Sequence, residues 1–137
     1  MLEQILCIDD DPITLMLCKK VISKAAFSKE IITAQNGEEA LHHFNTLKYN
    51  NKNKANKKPE LIFLDLNMPV MGGWEFLDHF ISSDYAEFNT ANVIVLSSTI
   101  DPDDLAKAKR YPIIIDFLSK PITQAMLEYL KKKIDFK

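Results

Sequence analysis

Three short apolar runs constrain the fold of this chain more than any other feature. They read ILCI at residues 5–8, LIFL at residues 61–64 and VIVL at residues 93–96. None of them alternates with polar residues, which is typical of strands covered on both faces. Residues at helical spacing follow each run. Parallel strands need such crossovers, so the sequence predicts a parallel sheet with helices on both faces.

Two more strands and five helices complete the predicted pattern. The further strands lie at residues 30–34 and 113–118. Asp11 and Thr123 are expected to cap the first and last helices, because their side chains can accept hydrogen bonds from free amides. Apolar residues at helical spacing are Ile13, Met16, Leu17, Val21 and Ile22 in the first helix, Ala40, Leu41, Phe44 and Leu47 in the second, Trp74, Leu77, Phe80 and Ile81 in the third, and Met126, Leu127, Leu130 and Ile134 in the fifth.

The fourth helix is predicted to be weak. It starts at residues 101–104, where acidic side chains favour a helix N-terminus. Its only apolar residues are Leu105, Ala106 and Ala108. A helix with so few apolar contacts is expected to shift easily.

Length and composition narrow the class of protein. The 137 residues suit one domain, predicted to span residues 1–137. Hydrophobic residues make up 47% and charged residues 26%, which excludes a disordered chain. No apolar run approaches the ~18 residues that cross a membrane, and acids at Glu3 and Asp9 break any signal peptide. We therefore expect a cytoplasmic protein without a membrane partner, and the net charge of −2 argues against nucleic acid.

Two local features have simple interpretations. Cys7 and Cys18 have no metal-ligand spacing, so buried, reduced thiols are expected. The segment Lys48–Lys58 contains five lysines, four asparagines and no acid. It is interpreted as a solvated loop, with a docking patch for an acidic surface as the alternative.

Polar side chains lie where the predicted strands end. Asp9 and Asp10 follow the first strand, Asp65 the third, Ser97 the fourth and Lys120 the fifth. Ligands bind at the carboxyl ends of such strands. If the first and third strands are neighbours, three carboxylates share a small cleft and repel one another unless a cation neutralises them. Their hard oxygens favour Mg²⁺ or Mn²⁺.

A lysine and a hydroxyl beside such a metal indicate a phosphoryl group. The metal and the ammonium would neutralise its oxygens, and the hydroxyl would donate a hydrogen bond. A carboxylate can also act as the nucleophile and form an aspartyl phosphate.

Four motifs together resemble one known family. They are ILCIDD at residues 5–10, LIFLDLNMPVMGG at 61–73, VIVLSS at 93–98 and FLSKP at 117–121. The whole chain resembles the receiver domain of bacterial two-component response regulators. The resemblance implies a flavodoxin-like, doubly wound (βα)5 sandwich. Its five parallel strands would have the order 2-1-3-4-5, which is typical of receiver domains.

The resemblance also implies roles for the acidic residues. Asp65 would be the phosphoacceptor. Asp10 would bind Mg²⁺ directly, and Asp9 would act through water. Asn67 would offer its backbone carbonyl to the metal.

The remaining implied roles concern switching and phosphate binding. Ser97 would bind a phosphoryl oxygen and move toward it on activation, and Phe117 would be the aromatic switch residue. Lys120 would pair with the phosphate, and the bond between it and Pro121 is expected to be cis. The Tyr111-Pro112 pair departs from the family pattern, which leaves the position of the fourth helix uncertain.

The function implied is phosphorelay signalling. A histidine kinase or a histidine phosphotransfer protein would donate the phosphoryl group, and the chain would catalyse only its own phosphorylation and dephosphorylation. The output surface would be helix 4, strand 5 and helix 5, facing an unidentified downstream protein or, as a weak homodimer, a second copy. A stand-alone receiver, monomeric or weakly dimeric, is expected.

Three other functions stay open at this point. A degenerate receiver would bind partners without phosphorylation. An aspartyl-nucleophile phosphatase of the haloacid-dehalogenase type would need an acid where Asn67 stands. A nucleotide or flavin module would need a glycine-rich phosphate loop, and no such motif occurs among Gly37, Gly72 and Gly73.

Overall fold

A computed structural model describes residues 1–49 and 58–134 of the chain. Its strands are β1 (Leu2–Ile8), β2 (Ser28–Ala34), β3 (Leu61–Leu64), β4 (Asn92–Ser97) and β5 (Ile114–Ser119). They pair in parallel in the order β2-β1-β3-β4-β5. The predicted doubly wound sheet and its strand order are confirmed.

Five α-helices alternate with the strands in the described residues, as predicted, and the fifth follows the last strand. They are α1 (Pro12–Lys24), α2 (Gly37–Tyr49), α3 (Gly73–Phe80), α4 (Pro102–Ala108) and α5 (Gln124–Lys133). The predicted caps are confirmed, because Asp11 accepts from the Ile13 amide and Thr123 from the Met126 amide. A short 3₁₀ helix, Ser83–Phe88, was not predicted, since only two of its residues are buried.

The sheet separates two apolar layers. Side chains of β1 and β3 alternate between them, as successive residues of a strand do. One layer packs α2, α3 and the 3₁₀ helix against the sheet, and Phe44 lies at its centre. The other packs α1 and α5 against the opposite face, around Ile22, Leu127 and Leu130.

The inward face of α1 agrees only in part with the face that the spacing favoured, because Ile22 is buried and Val21 packs against the core, whereas the earlier residues differ. Ile13, Met16 and Leu17 are 64%, 49% and 42% exposed. The residues that α1 buries are Leu15, Cys18 and Ile22. Both sets occur at helical spacing, and the angle at which the chain leaves β1 decides which set meets the sheet.

An irregularity in β5 alters which side chains it presents. Val93 of β4 pairs with Ile114, but Ile94 pairs with Asp116, so Ile115 is an extra residue in the ladder. Such a bulge interrupts the strict alternation of side chains. It leaves Asp116 in contact with α5, where Tyr129 and Lys133 donate hydrogen bonds to its carboxylate.

The basic segment Lys48–Lys58 is described only at its two ends. Lys48 lies in α2 and donates to the Asp84 carbonyl oxygen at 2.8 Å. The Lys58 ammonium lies 5.7 Å from the centre of the Phe88 ring. The predicted loop at residues 50–57 lies outside the described residues, and its role stays a prediction.

The length and hydropathy of a helix decide whether it can span a membrane. Within residues 1–49 and 58–134, none is both long enough and apolar enough to cross a bilayer.

Candidate functional site

Strand pairing brings the predicted acidic residues together. The Asp65 amide donates to the Ile8 carbonyl oxygen at 2.9 Å, so β1 and β3 end side by side. One carboxylate oxygen from each of Asp9, Asp10 and Asp65 lies within 4.8 Å of the others. In the described part of the chain, no other group of three acidic, histidine or cysteine side chains has such geometry.

The three carboxylates differ in exposure. Asp9 and Asp65 are only 5% and 7% exposed, whereas Asp10 is exposed. Asp9 is also held from its own loop, because its Oδ1 accepts a hydrogen bond of 2.9 Å from the Asp11 amide. The cluster therefore consists of two buried acids, Asp9 and Asp65, and one acid that faces solvent, Asp10.

Lys120 supplies the positive charge within the cluster. Its Nζ lies 2.5 Å from Asp9 Oδ2 and 3.4 Å from Asp65 Oδ1. The Lys120 amide donates to the Ser97 carbonyl oxygen at 2.8 Å, which ties the lysine to the end of β4. The Lys120-Pro121 bond is cis, as the family resemblance implied.

Burial and charge shift the pKa values of Asp65 and Lys120. Burial raises the pKa of the Asp65 carboxyl and the charge of Asp9 adds to this, while Lys120 opposes both. Burial lowers the pKa of Lys120, but the hydrogen bond and charge of Asp9, with the charge of Asp65, outweigh it and raise that pKa overall. The lysine is therefore the cationic partner of two buried acids.

The donor set fits a small, hard cation. Asp9, Asp10 and Asp65 contribute carboxylate oxygens, and neither histidine nor cysteine belongs to the cluster. Asn67 is exposed two residues after Asp65, on the loop that leaves the cleft. Oxygen ligands of this kind suit Mg²⁺ or Mn²⁺ better than zinc.

Ser97 lies at the site but is bound to its own loop. Its side chain is buried, and its hydroxyl donates to the Thr99 carbonyl oxygen at 2.5 Å. Phe117 is half-buried on β5 and pairs in register with Val95. Ser97 thus ends β4 and Phe117 lies on the neighbouring strand, while the serine hydroxyl is engaged by the Thr99 carbonyl.

The loop after Asp65 folds closely back on that residue. The Gly73 amide donates to the Leu66 carbonyl oxygen at 2.9 Å. A Cβ at Gly73 would lie 2.6 Å from the Asp65 carbonyl oxygen, a distance that real Cβ atoms do not adopt. Only glycine permits this contact, and it places the start of α3 directly against Asp65 and Leu66.

The sequence did not identify the contacts of Trp74. Its spacing indicated core packing, and Trp74 does pack against the core, but its indole N–H also donates to Asp104 of α4 at 3.2 Å. No local pattern could reveal this bond, because its two residues lie 30 positions apart. The expected thiols are present: Cys7 and Cys18 are free, buried and in contact with each other.

Comparison with known proteins agrees with the fold. The family model for the response regulator receiver domain matches residues 5–132. A solved structure of a two-component response regulator from Cytophaga hutchinsonii is 33% identical, with a TM-score of 0.84 and 96% of both chains covered. The bacteriophytochrome response regulator AtBRR is 25% identical, with a TM-score of 0.79, and covers 100% of this chain and 95% of its own.

A curated relative matches over a smaller part of its length. It is a protein-glutamate methylesterase/protein-glutamine glutaminase from Bacillus subtilis (strain 168). The two are 29% identical over 131 residues, which is 95% of this chain but 32% of the relative. The chain thus spans about a third of that protein.

Proposed function

The chain belongs to the response regulator receiver domain family, and from this premise we propose that Asp65 accepts a phosphoryl group with the help of Mg²⁺. The observation that carries the proposal is the contact of one lysine with two buried acids. Lys120 touches Asp9 and Asp65 together, beside an exposed third carboxylate. An acidic cluster with a built-in ammonium can hold a metal and a phosphoryl group side by side.

The transfer requires an ionised Asp65. A carboxylate oxygen attacks phosphorus, the bond from phosphorus to the donor's imidazole nitrogen breaks, and the imidazole leaves with its electron pair. Burial opposes the ionised form of Asp65, while the charge of Lys120 favours it. After transfer, Lys120 is placed to neutralise a phosphoryl oxygen.

The metal would be held by Asp10 directly, by Asp9 through water, and by Asp65 and the Asn67 carbonyl. Mg²⁺ would supply charge neutralisation on the phosphoryl oxygens, and Mn²⁺ offers the same chemistry. Asp10 is the exposed member of the cluster, so a cation can reach it without a rearrangement of the core.

The phosphodonor is proposed to be a histidine kinase or a histidine phosphotransfer protein. Ile13, Met16 and Leu17 form an exposed apolar patch on α1, which begins two residues after Asp10. Large apolar side chains exposed together mark interaction surfaces. We assign this α1 patch to docking of the donor beside the acceptor.

A charge on the α1 patch is expected to slow phosphotransfer from protein donors but not from small-molecule donors. Met16→Glu should slow phosphotransfer from a phosphohistidine protein at least tenfold and leave reaction with acetyl phosphate unchanged, because only a protein donor needs the patch. Ile81→Glu is the matched control, since Ile81 is similarly exposed at the end of α3. Equal slowing with both donors would show that the site itself was damaged.

The output is proposed to be a change at α4, β5 and α5. A phosphoryl oxygen would draw the Ser97 hydroxyl from the Thr99 carbonyl, and Phe117 would repack beside it. This altered surface would bind a downstream protein or a second copy of the chain. The chain would thus be a signalling phosphoacceptor that catalyses only its own phosphorylation and dephosphorylation.

Intact mass tests the acceptor directly. After incubation with acetyl phosphate and Mg²⁺, one phosphoryl adduct is expected, and it should disappear without Mg²⁺ or in Asp65→Asn. Asp84→Asn, an exposed acid outside the cleft, should still form the adduct. If neither acetyl phosphate nor a phosphohistidine protein gives an adduct, the chain is instead a degenerate receiver that acts by protein contact alone.

A further inference from the structure

A group of contacts joins α3 to α4 on the surface of the molecule. The Trp74 indole donates to Asp104 Oδ1 at 3.2 Å, and the Lys107 ammonium lies 4.8 Å from the centre of the indole ring. The Trp74 and Tyr111 rings are 5.2 Å apart, and the Tyr111 hydroxyl donates to Asp78 Oδ1 at 2.7 Å. We call these five residues the α3–α4 contact.

Among the described residues, α4 has few buried contacts. The helix has seven residues and buries only Ala108. Leu105 is exposed, so it adds little to the core. Helical position normally comes from a buried apolar face. In α4 the buried apolar face is small. We therefore expect the α3–α4 contact to fix much of the position of this helix.

Both ends of this contact lead back to the acceptor site. Trp74 follows Gly73, whose amide is bonded to the Leu66 carbonyl oxygen beside Asp65. On the other side, Ser97 is bonded to Thr99, two residues before the Asp101 cap of α4. On the α3 side, the contact is fixed by the packing of backbone at Gly73. On the α4 side, it leads to Ser97, whose hydroxyl could leave the Thr99 carbonyl for another acceptor.

We propose that the α3–α4 contact is a latch that holds α4 in its resting position and opens when Asp65 is phosphorylated. The opening step rests on the proposed function, whereas the resting contact does not. When Ser97 leaves Thr99 for the phosphoryl group, the β4–α4 loop shifts and α4 separates from Trp74. The latch therefore sets how often the unphosphorylated protein samples the active arrangement.

Hydrogen exchange tests the latch without any phosphodonor. The amides of residues 105–111 should exchange about threefold to tenfold faster in Trp74→Phe, which keeps a ring but loses one net hydrogen bond. Tyr111→Phe should have a similar effect through loss of the bond to Asp78. The matched control is Tyr85→Phe, which removes a 3.0 Å bond to Asn45 on the opposite side of α3 and should leave α4 unchanged.

Unchanged exchange of residues 105–111 in both Trp74→Phe and Tyr111→Phe would overturn the latch. An equal increase in residues 105–111 and in amides of the other helices that exchange by local opening would overturn it as well, because the bonds would then have no specific effect on α4. Urea unfolding of each variant measures the accompanying change in global stability, so that amides that exchange only by global unfolding can be corrected for it.

Tryptophan fluorescence tests the opening step. The chain contains one tryptophan, so its emission reports Trp74 alone. Beryllofluoride with Mg²⁺, a mimic of the phosphoryl group, should make Trp74 at least twofold more accessible to acrylamide quenching. Fluorine NMR measures beryllofluoride bound at Asp65 independently.

The two measurements separate the proposals. Bound beryllofluoride with unchanged quenching would overturn the latch while leaving the acceptor role intact. No bound beryllofluoride would contradict the proposed acceptor chemistry, and with it the coupling of the latch to phosphorylation. Hydrogen exchange would still decide whether the resting contact holds α4.

Discussion

At the scale of single residues, Lys120 and the metal would compete for the same carboxylates. The ammonium lies between Asp9 and Asp65 and offsets part of their repulsion. Asp10 is the exposed member of the three acids. A bound Mg²⁺ would therefore relieve a repulsion that is built into the folded state.

Mg²⁺ is expected to raise the free energy of unfolding of the wild-type protein. A ligand that binds only the folded state at a hundred times its Kd adds about 2.7 kcal/mol. Asp10→Asn should lose most of that gain, because a neutral amide is a poorer ligand for a hard cation. Urea unfolding with Mg²⁺ and with EDTA measures the difference. Asp84→Asn should keep the full gain, and an equal loss in both variants would disprove a site at Asp10.

At the scale of elements, one carboxylate of β5 accepts hydrogen bonds from α5, in addition to the apolar packing of that helix. Asp116 accepts hydrogen bonds from the Tyr129 hydroxyl at 2.6 Å and from Lys133 Nζ at 3.2 Å. Burial raises the pKa of Asp116, but the hydrogen bonds from Tyr129, the Phe117 amide and Lys133 outweigh it and hold the pKa below 3.8. The folded state therefore favours the ionised acid.

This shift predicts an acid-sensitive link between β5 and α5. The stabilisation should be fully present above the unfolded pKa, near 3.8, and be lost as the pH falls through the lower folded value. Asp116→Asn should lower the free energy of unfolding by about 1 kcal/mol or less at pH 6, with a smaller difference near pH 3. Urea titrations at both pH values measure it.

Glu128→Gln is the control for the β5–α5 link. Its exposed pair with Lys131 spans 3.3 Å on one helix and should contribute little at either pH. A constant difference between wild type and Asp116→Asn from pH 3 to pH 6 would contradict the role of the ionised form.

At the scale of the whole molecule, stability depends on two apolar layers that share one sheet. Phe44 is fully buried in the layer of α2 and α3, with the rings of Phe80 and Phe88 at 4.7 and 4.9 Å. Side chains from three helical segments therefore meet at one residue. Removal of that ring would leave a cavity that no single element could fill.

Phe44→Ala is expected to lower the free energy of unfolding by about 3–5 kcal/mol. Tyr49→Ala, at the exposed end of the same helix, should change it by less than about 0.5 kcal/mol. Urea unfolding compares the two. A loss of less than about 1 kcal/mol for Phe44→Ala would mean that the layer rearranges to fill the space.

The sequence by itself determined the buried strands and the residues at their carboxyl ends. Apolar runs without polar alternation indicate strands covered on both faces, and Asp9 and Asp65 follow such runs directly. Lys120 instead follows β5, which is half-buried and contains Asp116. The strand order came from the family resemblance, since strands of similar composition do not specify their neighbours. The roles of the site residues in phosphotransfer stay predictions.

The tertiary structure alone decided how the elements meet. α1 carries apolar residues on two faces, and packing against β1 selected Leu15 and Cys18 over Met16. The bulge at Ile115 and the bond from Trp74 to Asp104 join residues that are distant in sequence or depend on the register of a neighbouring strand. Periodicity reports only which residues of one element share a face, so contacts between elements appear only when the chain is folded.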